Sequence, residues 1–402
     1  MRFKNHQFVF MLLGCGLSTT AFANGNIVNS DPVISKENPE QDFKFKVNGT
    51  VRTNYRDEHW DSDNNGKFLF DLARIDVKAE YKQFFFDGNY VLQDDRRAIE
   101  HAFIGAKLNS ENTLTAGYVY KPFAIYPYPQ NAWSFQIPFF LGYGDSVAPG
   151  IDWHYFNQDY DFHAGFFPTM MTENLRFSPE LGDYQKLANT IAATQSKQAN
   201  SKRNQVNFRL ARKFTLPYGK QEFGASASFA QLHNSITDDD GKYSAFAVHS
   251  INNYNQWKLQ TSIIHYDYDP KNPTGVSSDS VLFQANGFNP AYLIASKATV
   301  YNASLSYKIP VSKTSIPYLT SISIYDDYSI MVKDKKEWSD SQMNTFGVQF
   351  NALPFIVWVD LTYGKNIPSL GGKYNSTGYT STTSQLSNDW VYRTNINIGY
   401  YF

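Results

Sequence analysis

The sequence predicts an all-β chain: a 16-stranded antiparallel transmembrane β-barrel with short periplasmic turns and long extracellular loops. Three observations predict it. First, most of the 402 residues fall into segments of alternating apolar and polar character, the period of a strand with one face in an apolar phase and the other in water. Second, the mean hydropathy is only −0.44 although aromatic residues make up 17% of the chain. In a transmembrane barrel every second residue meets lipid, so average hydropathy stays low while aromatics gather at the interfaces. No run approaches the roughly 20 apolar residues that a spanning helix needs. Third, the connections between segments separate by parity into a short and a long class.

The N-terminal segment reads as a targeting signal. Arg2 and Lys4 supply positive charge, "FVFMLLGCG" (Phe8 to Gly16) is a short apolar core, and Ala21-Phe22-Ala23 is a small-x-small cleavage site. Residues 1–23 are therefore expected to be cleaved, 24–41 to form a short polar periplasmic leader, and 42–402 to form the barrel. Cys15 is the only cysteine, so the mature chain needs no disulfide in an oxidising compartment and has no thiolate metal site. Losing Arg2 and Lys4 takes the 36 basic residues to 34, against 37 acidic, a formal charge of −3. That excludes a strongly basic nucleic-acid binder.

Strands are expected near 43–55, 68–81, 84–94, 98–108, 113–120, 149–157, 159–167, 203–215, 221–232, 242–252, 256–267, 297–308, 316–327, 342–352, 354–365 and 390–402. The first, "FKFKVNGTVRTNY", sets Phe43, Phe45, Val47, Gly49, Val51, Thr53 and Tyr55 opposite Lys44, Lys46, Asn48, Thr50, Arg52 and Asn54. The last, "WVYRTNINIGYYF", sets Trp390, Tyr392, Ile396, Ile398, Tyr400 and Phe402 opposite Arg393, Asn395 and Asn397. The fourth, tenth and thirteenth alternate poorly. Even-to-odd connections are short ("KQ", "NSEN", "NNYNQ"). Odd-to-even ones are mostly long: 56–67, 121–148, 168–202, 233–241, 268–296, 328–341 and 366–389. Outer-membrane barrels have this asymmetry, with the short turns periplasmic.

With its targeting segment, sixteen strands, terminal Phe402 and the stretch "GYVYKPFAIYPY" (Gly117 to Tyr128), the chain resembles the sixteen-stranded outer-membrane porins, and among them the phosphate-selective porin O/P-like group. The resemblance implies a water-filled outer-membrane channel in a Gram-negative bacterium. It also implies a homotrimer in contact with the lipid bilayer and lipopolysaccharide, with Tyr400 and Phe402 read as an assembly signal by the outer-membrane assembly machinery. Phosphate-binding members carry a dense arginine ladder, whereas the lumen-parity cations here mix Lys and Arg with interspersed acids. In such porins the connection after the fifth strand folds inward and forms the constriction. Here that connection holds four prolines together with Tyr126, Tyr128, Trp133, Phe135, Phe139 and Tyr143, an apolar content that calls for burial or stacking partners. Pore constriction and simple packing against the wall or a neighbouring subunit both fit, and are compatible.

By parity the inward cations are Lys44, Lys46, Arg52, Arg74, Lys78, Arg209, Lys213, Lys258, Lys308 and Arg393, and the inward acids Asp42, Asp76, Glu80, Asp87 and Asp360. Individually these are wall residues suited to cross-strand pairs; as a set they predict a mildly positive lumen and a modest anion preference, for solutes such as phosphate or dicarboxylates. "DSDNNG" (Asp61 to Gly66) opens like a calcium loop but has Leu72 where the bidentate Glu belongs. The eight histidines show no metal spacing along the chain, and no nucleophile-elbow, phosphate-loop or zincin motif occurs. No enzyme activity, cofactor or metal is expected. The competing readings are an outer-membrane hydrolase on the same barrel and a loop-mediated adhesin or receptor.

Overall fold

The computed structural model describes residues 43–60, 66–93, 96–169, 180–181, 198–284, 292–312, 316, 318–367, 370 and 389–402. The targeting segment, the leader with Asp42, and the calcium-like stretch up to residue 65 lie outside them. Sixteen antiparallel strands pair each with the next. They are β1 (Phe43–Glu58), β2 (Lys67–Tyr81), β3 (Phe84–Gln93), β4 (in two pieces, Arg96–Ala98 and Ala102–Lys107), β5 (Asn112–Tyr120), β6 (Val147–Phe156), β7 (Tyr160–Thr169) and β8 (Asn200–Leu216). There follow β9 (Gly219–Asn234), β10 (Asp240–Tyr254), β11 (Trp257–Asp269), β12 (Lys297–Pro310), β13 (Ser321–Lys333), β14 (Ser341–Ala352), β15 (Phe355–Lys365) and β16 (Val391–Tyr401).

β16 pairs with β1, Thr50 opposite Tyr401 through Glu58 opposite Arg393, and this closes the barrel. Closure matters because an open edge would leave unpaired N–H and C=O groups in lipid. The outward parity carries the apolar side chains: Phe43, Phe45, Val47 and Val51 on β1, and Tyr392, Ile398 and Tyr400 on β16, are all exposed on the outer surface. Aromatic residues crowd the periplasmic rim, among them Tyr81, Phe84, Tyr218, Tyr254, Trp257, Phe355 and Phe402, as an interfacial belt requires.

Two strands differ from expectation. β13 (Ser321–Lys333) begins five residues and ends six residues further on than 316–327, because the tandem Asp326-Asp327 masks the alternation: Asp326 points outward, where Asn344 Nδ2 hydrogen-bonds it at 2.7 Å, and Asp327 points inward and is fully buried. β4 is interrupted at Ile99 to His101, where Glu100 turns in and takes a 2.7 Å hydrogen bond from Asn89 Nδ2. Among the long connections the structure also holds a three-stranded sheet, Glu180–Leu181, Ser280–Gln284 and Tyr292–Ala295. Its strands are too short for periodicity to reveal.

The C-terminal residue completes the seam. Phe402 exchanges backbone hydrogen bonds with Gly49, 2.7 Å from Gly49 N to Phe402 O and 3.0 Å in return. Its ring lies over the bare Cα of Gly49, where a Cβ would sit 2.3 Å from the ring. Gly49→Val is therefore expected to expel the Phe402 ring and lower the folded barrel recovered from outer membranes, and deletion of Phe402 is expected to do the same. Wild-type levels of both variants on heat-modifiability gels would remove this role.

Candidate functional site

The connection 121–146 lies inside the barrel. A single helical turn, Ile137–Phe140, opens on Pro138 and is buried on all sides. The loop is tied to the wall strand by strand. Tyr126 OH lies 2.7 Å from His163 Nε2 on β7, and Arg209 Nε on β8 donates to Ala124 O at 2.9 Å. Ala124 N donates to Ser226 Oγ on β9 at 3.0 Å, and Tyr243 OH on β10 donates to Tyr143 OH at 3.2 Å. On β12, Asn302 Nδ2 and Ser304 Oγ donate to Pro129 O at 3.0 and 2.7 Å. The strongest anchors are two carboxylates. Asp327 on β13 accepts from Asn131 N, Asn131 Nδ2 and Ala132 N at 2.8, 2.9 and 2.7 Å, and Asp360 on β15 accepts from Ser134 N at 2.8 Å. Each such hydrogen bond contributes about 0.5–1.5 kcal/mol net, and a buried donor left without a partner costs about 1–3 kcal/mol.

Beyond Tyr126, four of the predicted loop aromatics are used in this packing, Trp133, Phe135, Phe139 and Tyr143. Trp133 packs against Tyr325, Ile356, Trp358 and Tyr401. Phe135 and Phe139 stack face to face, centroids 3.7 Å apart. Phe139 and Tyr143 join an apolar core filled from the other side by Tyr243 and Tyr266 of the wall and by Val281, Phe283, Tyr292 and Ile294 of the three-stranded sheet. The sheet thus caps the loop from the extracellular side, and Tyr292 OH donates to Phe140 O.

Facing the loop, β1–β4 carry paired charges. Arg52 Nε lies 2.7 Å from Asp71. Arg74 bridges Asp76 and Glu100 at 3.1 and 3.2 Å, and Lys78 meets Asp87 at 2.7 Å. From the loop, Tyr128 and Asp145 face these pairs. Burial, together with the facing carboxylate of Glu100, pushes the Asp145 carboxyl well above its ordinary range, against the pull of Tyr128, Arg74 and Arg52.

The inward cations therefore divide. Lys44 and Lys308 are exposed at the periplasmic end, and Lys46, Arg52, Arg74, Lys78 and Lys258 are half-buried. Arg209, Asp360 and Arg393 do face inward, but they are buried, Arg209 and Asp360 bonded to the inner loop, so none of the three lines open water. Further acids face inward, Asp71, Glu100, Asp152, Asp161, Glu222 and Asp327, and pair with or sit beside these cations. These six acids more than cancel the ten-to-five excess of inward cations. The histidines also gain neighbours that linear spacing hid: His154 and His163 are nine residues apart, yet directly opposite across the β6–β7 hairpin.

No family model matches the chain, and no curated protein matches it. Solved structures do. The chain is similar to OmpF of Salmonella typhi, solved with daunomycin (13% identity, TM-score 0.56, covering 89% of this chain and 97% of that one). It is similar to the outer membrane channel DcaP of Acinetobacter baumannii (12%, 0.56, 90% and 97%) and to an anion-selective porin from Comamonas acidovorans (10%, 0.55, 90% and 100%). A trimer form of OmpT, an outer membrane protein of Vibrio cholerae, matches with 13% identity and a TM-score of 0.53, over 90% of this chain and 99% of that one. The fold is that of the outer-membrane porins, a closed sixteen-stranded antiparallel β-barrel.

Proposed function

We propose that the protein is a passive diffusion channel for small hydrophilic solutes, whose narrowest section lies where the inner loop faces β1–β4. The observation that carries this reading is the one-sided attachment of the loop. Its anchors fall on β7–β10 and β12–β16, which leaves the Arg52 and Arg74 side, on β1–β4, as the wall opposite Tyr128 and Asp145. A sixteen-strand barrel is wide enough for an aqueous channel, and a loop held to one side narrows it without filling it. The shared fold with trimeric OmpT supports a homotrimer.

Charge near the narrow section is balanced by ion pairs, so selectivity there is weak. An anion preference has its support at the periplasmic end, where Lys44, Lys258 and Lys308 make no ion pair among the described residues. Such a vestibule concentrates counter-ions at its mouth and attracts anions of the phosphate or dicarboxylate class. Planar-bilayer recording tests both parts. Discrete conductance steps are expected, with a reversal potential in a KCl gradient on the chloride side that moves toward potassium in the K44Q/K258Q/K308Q variant. Absence of channels would end the reading and reopen the hydrolase and adhesin alternatives; clear potassium selectivity would end the anion preference alone.

A further inference from the structure

The periplasmic end of the lumen carries an excess of positive charge. Lys44 on β1, Lys220 on β9, Lys258 on β11 and Lys308 on β12 point inward there, Lys258 half-buried and the other three exposed. Lys220 shares its face of β9 with Glu222, two residues on. None of the four lysines makes an ion pair among the described residues. The acids of that end are already matched. Glu80 has Lys107 at 3.7 Å, Asp87 has Lys78 at 2.7 Å, Asp161 has Lys213 at 2.7 Å, and Glu222 pairs with Arg209. The periplasmic turns add Glu111 and Asp159 against Lys82, so the excess remains. Ammonium groups gathered in one vestibule repel one another, and an anionic partner relieves that repulsion.

The chain itself holds such a partner next to the vestibule. β1 begins at Phe43, at the periplasmic end, and "DPVISKENPEQD" (residues 31–42) precedes it directly. This segment has four acids, Asp31, Glu37, Glu40 and Asp42, against Lys36 alone. Reach does not limit it. Glu37 lies six residues before Phe43 and Asp31 twelve, which is about 20 and 40 Å of extended chain. Sixteen strands about 4.8 Å apart close into a barrel about 25–30 Å across, so Lys258 and Lys308 across the lumen are within range. Exposed ion pairs are individually weak. A segment tethered at the mouth, however, presents all its charges at a high effective concentration.

We propose that residues 31–42 dock on the lysine face of the periplasmic vestibule, as a tethered counter-ion for Lys44, Lys220, Lys258 and Lys308. Docking rests on the channel reading and adds regulation to it. The docked segment neutralises the lysines and competes with solute anions for them, which holds the anion preference down. Salt releases the segment, because the screening length falls from about 10 Å at 0.1 M to about 3 Å at 1 M.

Carbodiimide cross-linking of the full barrel extracted from outer membranes, read by peptide mass spectrometry, reports the contact whether or not the barrel conducts. Links from Glu37 or Glu40 to Lys258 or Lys308 are expected at about 0.1 M KCl and are expected to be lost at about 1 M. The Lys78–Asp87 and Lys213–Asp161 pairs, each at 2.7 Å, serve as internal controls. Control links without any link from the segment to Lys258 or Lys308 would overturn docking and leave the channel reading intact. Links found only between isotopically labelled and unlabelled chains would assign the segment to a neighbouring copy and overturn it equally. In bilayers, the D31N/E37Q/E40Q/D42N variant is expected to shift the reversal potential further to the chloride side at about 0.1 M KCl and not at about 1 M. A low-salt reversal potential equal to that of the wild type would also count against docking. A barrel that forms the links but no channels would end the channel reading and leave docking standing.

Discussion

Replacing Asp327 and Asp360 together by alanine is expected to raise single-channel conductance and make it noisy, while leaving the barrel closed. The two carboxylates receive four hydrogen bonds from the tip of the inner loop, at Asn131, Ala132 and Ser134. Three of the donors are backbone N–H groups, and in the variant they lose these carboxylate acceptors. A buried N–H without a partner costs about 1–3 kcal/mol, so the tip gains by moving to reach water. The rest of the loop stays held, because Pro129 keeps Asn302 and Ser304 and Gln136 keeps Thr345 and Ser329. The movement is therefore local and the strands are untouched. Bilayer recording reads the conductance, and limited proteolysis reads cleavage between residues 131 and 136. Cleavage without a change in conductance would show that this loop is not the narrowest section. Neither change would show that the carboxylates do not hold it.

The barrel was legible because its signal is local. Alternation, turn residues and loop lengths each depend on a few neighbouring residues, and all sixteen strands appear close to where they place them. The misplacements have local causes as well: the Asp326-Asp327 pair puts like residues on opposite faces, and the bulge at Glu100 breaks parity. The pairing of His154 with His163 was also within reach. The parity that sets Tyr160, Phe162 and Phe166 outward sets Asp161 and His163 inward, and a tight turn at 157–159 forces position 154 opposite 163. Chain spacing alone could not show this, because the relevant distance runs across the hairpin. The anchors of the inner loop were out of reach for a different reason. Asn131 and Asp327 are 196 residues apart, and nothing in either neighbourhood names the other. For the same reason parity marked Asp360 as inward without showing that the loop covers it.

Glu180→Ala is expected to be the most destabilising single substitution in the extracellular half. Glu180 lies between two lysines, with Lys121 Nζ 2.6 Å from Oε2 and Lys202 Nζ 2.8 Å from Oε1. All three side chains are at most 4% exposed. The residues come from the stem of the inner loop, the short sheet above it and the head of β8, so one carboxylate joins three parts of the mouth. The extra positive charge is accommodated by the ring faces of Tyr243 and Tyr268, 4.1 and 5.2 Å from Lys202 Nζ. Removing the carboxylate leaves two ammonium groups buried side by side, and stripping one partner from a buried ion pair costs about 3–5 kcal/mol. The K121M/E180L/K202M variant buries no charge and is expected to recover most of that loss, since replacing a whole buried ionic group by apolar side chains is often neutral. The midpoint of the heat-modifiability transition measures both. If Glu180→Ala melted with the wild type, the triad would be dispensable to the mouth. If the triple variant were as unstable as Glu180→Ala, the loss would come from packing at these positions and not from the unpaired lysines.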